Sequence, residues 1–317
     1  MENVQQSKLN TLDTKKKKSK WNQILKEKWL YFMILPGLAY FIIFKYIPMW
    51  GIVIAFQDYS PFLGVLGSEW VGLEHFKYFF TNPDFLRLLR NTFILALYDL
   101  IFFFPAPIIL ALMLNEIRLS FYKRTLQTLV YVPHFMSWVI IASISYVFLT
   151  TSGGVVNELL AKFVGEEVNF LSSPDWFRPM IIGQIIWKET GWGTVIFLAA
   201  LASVDQEQYE AAIVDGAGRF RRLWHVTLPA LRSTIVILLI LRLGNFLDTG
   251  FQQIYLMSNS LNRSVADVFD TYVYFVGITE GAFSYSTAVG LFKSVVGIVL
   301  IVGADRLAKK LGQNGLF

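Results

Sequence analysis

The sequence predicts an all-α polytopic membrane protein with six transmembrane helices and both termini in the cytoplasm. Three observations predict it. Apolar residues make up 55% of the 317 and charged residues only 16%, against roughly 45–50% and 25% in ordinary soluble domains. Six stretches, about 30–55, 91–114, 126–149, 178–203, 231–255 and 285–305, each hold the roughly 20 mostly apolar residues that a crossing helix needs. They are continuously apolar, as in FILALYDLIFFFPAPIILALML, and lack the ten-residue alternation of a membrane β-barrel. Finally, with both termini inside, 18 Lys and Arg flank the spans on the inner side and 6 on the outer, the asymmetry of the positive-inside rule. The same composition excludes a disordered chain and speaks against a soluble enzyme. With no Cys there is no disulfide, thiolate nucleophile or Cys-ligated metal, and three scattered His make no metal site. No catalytic residue is assigned.

Residues 1–28 carry eight Lys and read as a solvated cytoplasmic tail before an uncleaved first helix. The polar part is too long for a signal peptide, and no small-residue cleavage site follows. Its run of four Lys at 15–18 suits the anionic headgroups of membrane lipid better than nucleic acid. The membrane domain is expected over 29–306, followed by a cytoplasmic tail over 307–317. Pro36, Pro48, Pro105, Pro107 and Pro133 interrupt spans, which frees backbone groups to line cavities or allows bending. Lys45 and Lys293 are expected to snorkel toward the outer interface. His134 and His225 read as packed or interfacial.

The longest inner loop between spans, 204–230, reads VDQEQYEAAIVDGAGRFRRLWHVTLPA. Asp205 with Gln208 three residues on resembles a capping box, so a helix starts there. Gly216 and Gly218 let the backbone turn where a side chain would cost energy. Phe220, Leu223 and Trp224 among Arg219, Arg221 and Arg222 give a second, amphipathic helix. Leu228-Pro229 is expected to restart the chain into the fifth span. The small Ala211 and Ala212 permit close approach by another protein.

Glu210-Ala211-Ala212, three residues, Gly216, nine residues, then Val226-Thr227-Leu228-Pro229 resembles the EAA motif of permease subunits of binding-protein-dependent ABC importers. Val226 stands where that family more often has Ile. The resemblance implies a type I ABC importer permease fold. It also implies that Glu210, Ala211, Ala212, Asp215, Gly216, Ala217, Leu228 and Pro229 couple the membrane domain to an ATP-binding subunit. The stretches ILPGLAYFIIFKYIPMWGIVIAFQDYSPFLG, FPAPIILALMLNEIR and YVPHFMSWVI resemble the oligosaccharide branch of these carbohydrate permeases, which includes subunits associated with pectin, rhamnogalacturonan or alginate fragments. The implied partners are a second homologous permease in a heterodimer, two ATP-binding subunits, an extracellular sugar-binding protein and the oligosaccharide. None of the 22 Gly precedes a Lys, so no Walker A loop exists. The chain is expected to bind no cofactor, with ATP and Mg held in the partner ATPase subunits, in a multi-pass protein of the bacterial cell membrane. Outer segments 56–90 and 150–177, with Pro61, Gly64, Gly153, Gly154, Asp175 and Trp176, become a rim for the sugar-binding protein under this resemblance.

Charges inside the membrane need a reason, because each costs at least a few kcal/mol on insertion scales. In the fifth span Arg242, Asn245, Asp248 and Gln252 fall at helical spacing, with Thr249 beside them. They read as a polar face for a sugar pathway, or as structural pairing of Arg242 with a partner's carboxylate. In the fourth span Gln184, Trp187 and Glu189 offer hydrogen bonds and a stacking face for sugar rings, with Lys188 and Trp192 nearby. Asp99 in the second span joins the same expected cavity. A secondary sugar transporter working without ATPase subunits is the alternative, but such proteins are usually built from internal repeats, and none is visible here. A membrane enzyme would need an acid/base or nucleophile constellation that the chain lacks.

Overall fold

The computed structural model describes residues 28–313, 315 and 316, so the basic tail, Lys28 aside, lies outside the described residues. The chain divides into two compact units after Val53. Most of the first helix, α1 (Lys28–Phe56), belongs to the first unit. Its side chains are apolar all round, Phe32, Met33 and Phe44 among them.

In the second unit, β1 (Gln57–Asp58) pairs antiparallel with β2 (Glu69–Trp70), Gln57 opposite Trp70. Phe56 stacks on Trp70 at 5.7 Å. There follow α2 (Glu74–Thr81), α3 (Phe85–Asn115), α4 (Ser120–Phe135), α5 (Trp138–Leu149), α6 (Val155–Val164), α7 (Pro174–Ala202), α8 (Gln206–Val214), α9 (Arg219–Gly244), α10 (Phe251–Met257), α11 (Phe269–Tyr274) and α12 (Phe283–Lys310). Among the described residues five helices (α1, α3, α7, α9, α12) are long and apolar enough to cross a membrane. The count is six if α4 and α5, bent by 99°, form one span. That bend falls at Met136 and Ser137, just after the 3-10 turn that holds Pro133, and the Ser137 hydroxyl caps α5 through the Ile140 N–H.

The prolines do not end the helices. The residues before Pro48, Pro105 and Pro229 each donate five residues back: Ile47 to Ile42, Phe104 to Asp99, Leu228 to Leu223. A proline ring clashes with the carbonyl four residues earlier, and one widened π-turn just upstream moves that carbonyl aside. The expectation that Leu228-Pro229 restarts the fifth span is therefore corrected: α9 runs unbroken from Arg219. Its other end is corrected too. The helix stops at Gly244, the backbone turns through Gly250 at φ +87°, and α10 begins at Phe251. Likewise α12 continues to Lys310, past the expected start of the terminal tail.

Two anchors fix the pairing of α3 with α7. The Arg178 guanidinium donates to Asn91 Oδ1 at 2.9 Å, and the Thr194 hydroxyl to the Pro107 carbonyl at 3.3 Å. Both span 87 residues, so the two helices run parallel. Glycines set how closely the helices approach. A Cβ on Gly193 would sit 2.9 Å from Pro107 Cγ, and one on Gly191 would overlap the Val130 carbonyl of α4. Gly297 of α12 meets the Gly244 carbonyl in the same way. Inside lipid, association comes from such van der Waals contact and interhelical hydrogen bonds rather than from release of water.

Away from these crossings, Phe79, Phe269 and Phe292 pack with their ring centroids 5.3–5.9 Å apart, worth about 0.5–1.5 kcal/mol per pair beyond area burial. This cluster holds α2, α11 and α12 together at one end.

Candidate functional site

The break between α9 and α10 makes room for a cavity of about 200 Å³. Its walls come from α3 (Leu95, Asp99), α5 (Trp138), α7 (Ile181, Ile185, Glu189), the end of α9 (Arg242), the break itself (Asn245, Asp248, Thr249) and α10 (Gln253). Of the residues singled out in the sequence, Asp99, Glu189, Arg242, Asn245 and Asp248 line it. They do so without forming one helix face, because regular helix ends before Asn245. Gln252 is outside the lining and its neighbour Gln253 is in it. Trp187, 47% exposed, is likewise outside the lining. Gln184 lies behind the wall, where its Nε2 donates to Ser145 Oγ at 2.7 Å and its Oε1 accepts from Gln253 Nε2 at 2.8 Å. Gln253 Nε2 also donates to the Ile181 carbonyl, leaving Oε1 of this 1% exposed residue without a partner.

Every cation around the cavity is matched by a carboxylate. Arg242 binds Asp99 bidentately, Nε to Oδ2 at 2.7 Å and a terminal nitrogen to Oδ1, so a carboxylate of its own chain takes the place of a partner's. Asp99 opens the π-turn before Pro105. Lys188 Nζ reaches Glu189 at 2.9 Å and the His134 carbonyl at 2.6 Å. His134 Nδ1 donates to the other Glu189 oxygen at 2.8 Å, and its ring stacks on Trp192 at 4.6 Å. A carboxylate only accepts, which fixes Nδ1 as the protonated nitrogen. Lys293 does not snorkel: it binds Asp248 at 2.7 Å and also Asp270, with only 12% of its side chain exposed. Sequence reasoning missed His134, Trp138, Gln253 and Asp270 as neighbours of the site. Of these only His134, beside a proline and facing a charged span, carried a signal.

Removing one partner of a buried pair costs about 3–5 kcal/mol because the other charge is left unpaired. Lys293→Met is thus expected to lower the thermal stability of the detergent-purified protein, and adding Asp270→Asn to restore part of the loss. An additive double variant would place these charges outside one network.

The arrangement holds no nucleophile with an adjacent base. What it offers is hydroxyl recognition: amide, hydroxyl and carboxylate groups around an apolar wall. Among the described residues no three His, Asp or Glu side chains could hold a metal ion.

At the far end of α7, α8 and the first turns of α9 form a helix–turn–helix. Asp205 Oδ1 accepts from the Glu207 N–H at 3.0 Å, which caps α8, and Gln208 does not close the box. Gly216 turns the chain at φ +75°, with its N–H on the Ile213 carbonyl and that of Ala217 on Ala212. Glu210, Ala211, Asp215 and Gly216 are exposed, and Ala212 and Ala217 half-buried. Beside them Ile213, Val214, Phe220 and Trp224 are 54–89% exposed. Leu228 and Pro229 lie at the root of this element in α9, where the Tyr209 and Thr227 hydroxyls meet at 3.1 Å.

A family model described as "Binding-protein-dependent transport system inner membrane component" matches residues 103–313. The chain is 68% identical over 298 residues to protein LplB of Bacillus subtilis (strain 168), covering 94% of each. It is 58% identical over 295 residues to the polygalacturonan/rhamnogalacturonan transport system permease protein YteP of the same organism, covering 93% and 92%. Among solved structures it superposes on a chain of a bacterial alginate ABC transporter, crystallised with its alginate pentasaccharide-bound periplasmic protein. The TM-score is 0.85 at 39% identity, covering 93% of this chain and 99% of that one.

Proposed function

Because the chain belongs to the family of binding-protein-dependent transport system inner membrane components and is a carbohydrate ABC-transporter permease of the membrane, we propose that it forms half of the translocation pathway of an ATP-driven oligosaccharide importer. The substrate class is a fragment of a plant or algal polysaccharide, as in its pectin- and alginate-handling relatives. Both termini lie in the cytoplasm, and the helix–turn–helix of α8 and α9 docks in a groove of an ATP-binding subunit. A second, homologous permease completes the cavity, and two ATPases bind ATP and Mg. A sugar-loaded binding protein delivers from outside. ATP closes the ATPase pair, the docked elements move with it, and the two permeases rock from inward-open to outward-open. Hydrolysis restores the inward state.

The observation that carries this reading is the exposed α8–α9 corner. Four large apolar side chains stand in solvent around Glu210 and Ala211, a patch that marks a protein interface. Tyr209 and Thr227 tie that corner to the foot of α9, so a push on it reaches the helix that carries Arg242.

The chain has no Cys, so Ala211→Cys gives a unique crosslinking handle. In the assembled complex it is expected to crosslink to the ATP-binding subunit, with a yield that changes on adding ATP. Crosslinks only to lipid or to this chain would overturn the coupling role.

A further inference from the structure

We propose that Arg90 and Arg178 form a carboxylate-binding site at the outer mouth of the cavity that selects acidic sugars. The proposal rests on the reading above for which end is outer. A second pocket of about 370 Å³ lies between the first turns of α3 and α7 and the segment before α11, walled by Arg87, Arg90, Asn91, Arg178 and Ser264. Three guanidinium groups meet there. Arg87 is committed to Asp84 at 3.1 Å and Asp267 at 3.4 Å. Burial pushes the Asp267 carboxyl above its usual range, while Arg263 and Arg87 pull it back.

Among the described residues Arg90 and Arg178 have no ion pair. Arg178 is held by Asn91, which is 2% exposed and whose Nδ2 donates to the Ser264 and Asp267 carbonyls. Its Nε is buried with no acceptor. A buried donor left unmade costs about 1–3 kcal/mol, and a bound anion would remove that cost. The planar fork of a guanidinium suits a carboxylate, which can accept two parallel hydrogen bonds.

The position identifies the ligand. Arg178, Ile181, Ile182, Ile185 and Glu189 follow at helical spacing along α7, and Asn91, Leu95 and Asp99 along α3. The residues below the pocket are cavity walls. At 1.5 Å per residue, Arg178 stands about 16 Å above Glu189 on the same face of the same helix. Asn91, Leu95, Ile181 and Ile182 are buried between the pocket and the cavity, so Arg90 and Arg178 stand over its closed outer mouth, where a uronic acid of an incoming sugar would first meet these helices. Arg242 in the cavity wall and Lys188 and Lys293 behind it are all neutralised by carboxylates of this chain. Passage needs binding firm enough for capture and weak enough for release. Unpaired cations at the mouth and paired ones inside provide that gradient.

The test uses the complete transporter in proteoliposomes with a galacturonate trisaccharide and its carboxyl-reduced, neutral counterpart. Arg90→Gln with Arg178→Gln is expected to cut uptake of the acidic sugar at least tenfold and to leave the neutral one within twofold. Arg178→Lys should recover part of the loss. Equal losses for both sugars, or weaker docking of the binding protein whichever sugar it carries, would assign the pair to docking or structure and overturn the proposal. Unchanged acidic uptake, or wild-type complex that imports only the neutral sugar, would overturn it and leave the import reading standing. Wild-type complex that imports neither sugar with ATP would overturn that reading and this proposal with it.

Discussion

Gly216→Pro is expected to abolish sugar-stimulated ATP hydrolysis in the reconstituted complex while the transmembrane helices still assemble. Proline is locked near φ −65°, and Gly216 sits at +75° with its N–H on the Ile213 carbonyl. The substitution removes that bond and forces the turn to another course, so α8 leaves α9 in a new direction. Glu210, Ala211 and Ala212 move with it, yet nothing within 4 Å of a Gly216 Cβ would be displaced. The damage is therefore one of aim rather than of packing. Gly216→Ala separates the two. A left-handed residue other than Gly costs roughly 1–2 kcal/mol and leaves the N–H in place, so stimulation should fall only severalfold. Co-purification of the ATPase subunits reports assembly, and the ratio of stimulated to basal hydrolysis reports coupling. A stimulation ratio unchanged by the proline would remove Gly216 from the transmission path.

The largest structural effect is expected at Gly191→Val. Any Cβ there overlaps the Val130 carbonyl and comes 3.1 Å from the Tyr131 nitrogen. These are backbone atoms, which cannot swing away as a side-chain tip can. Overpacking of this kind costs about 1–3 kcal/mol, and more where backbone must move. Displacing Val130 shifts Pro133 and His134 just beyond it, and so the hydrogen bond from His134 to Glu189 at the cavity. Gly183→Val supplies the control: it makes the same change on the same helix where a Cβ meets nothing within 4 Å. In a thermal-unfolding series in detergent, Gly191→Val should lower the transition by several degrees or yield no monodisperse protein. Gly183→Val should stay close to wild type. Equal behaviour of the two would mean that α4 and α7 are not held at this distance.

The sequence made the helical spans legible because solvent decides them: a run of apolar residues in lipid must satisfy its own backbone and does so as a helix. The α8–α9 corner was legible for a local reason, since Asp205 and Gly216 encode cap and turn through their own backbone preferences, whereas Gly218 sits at φ −66° with open space around it and did not need to be Gly. Charges inside the membrane announced a site, and Asp99, Glu189, Arg242, Asn245 and Asp248 do line one cavity. Their geometry was not legible. Helical spacing through residue 252 placed a polar face on a helix that ends at Gly244, so Gln253 rather than Gln252 meets the cavity. Lys293 read as a snorkelling cation because its partners, Asp248 and Asp270, lie 45 and 23 residues away. The prolines read as breaks, and at Pro48, Pro105 and Pro229 the chain instead widened by one residue and continued.

By itself, then, the sequence determined the all-α class, the presence of the apolar spans and the form of the α8–α9 corner, because each depends on residues close together in the chain. Only the tertiary structure decided which charges pair, where α9 gives way to α10, and which two arginines stay uncompensated. Those outcomes depend on the parallel seating of α3 against α7 and on glycine-limited distances between helices. A carboxylate that lies 143 residues from its arginine, as Asp99 does from Arg242, leaves no periodicity in the sequence to reveal it.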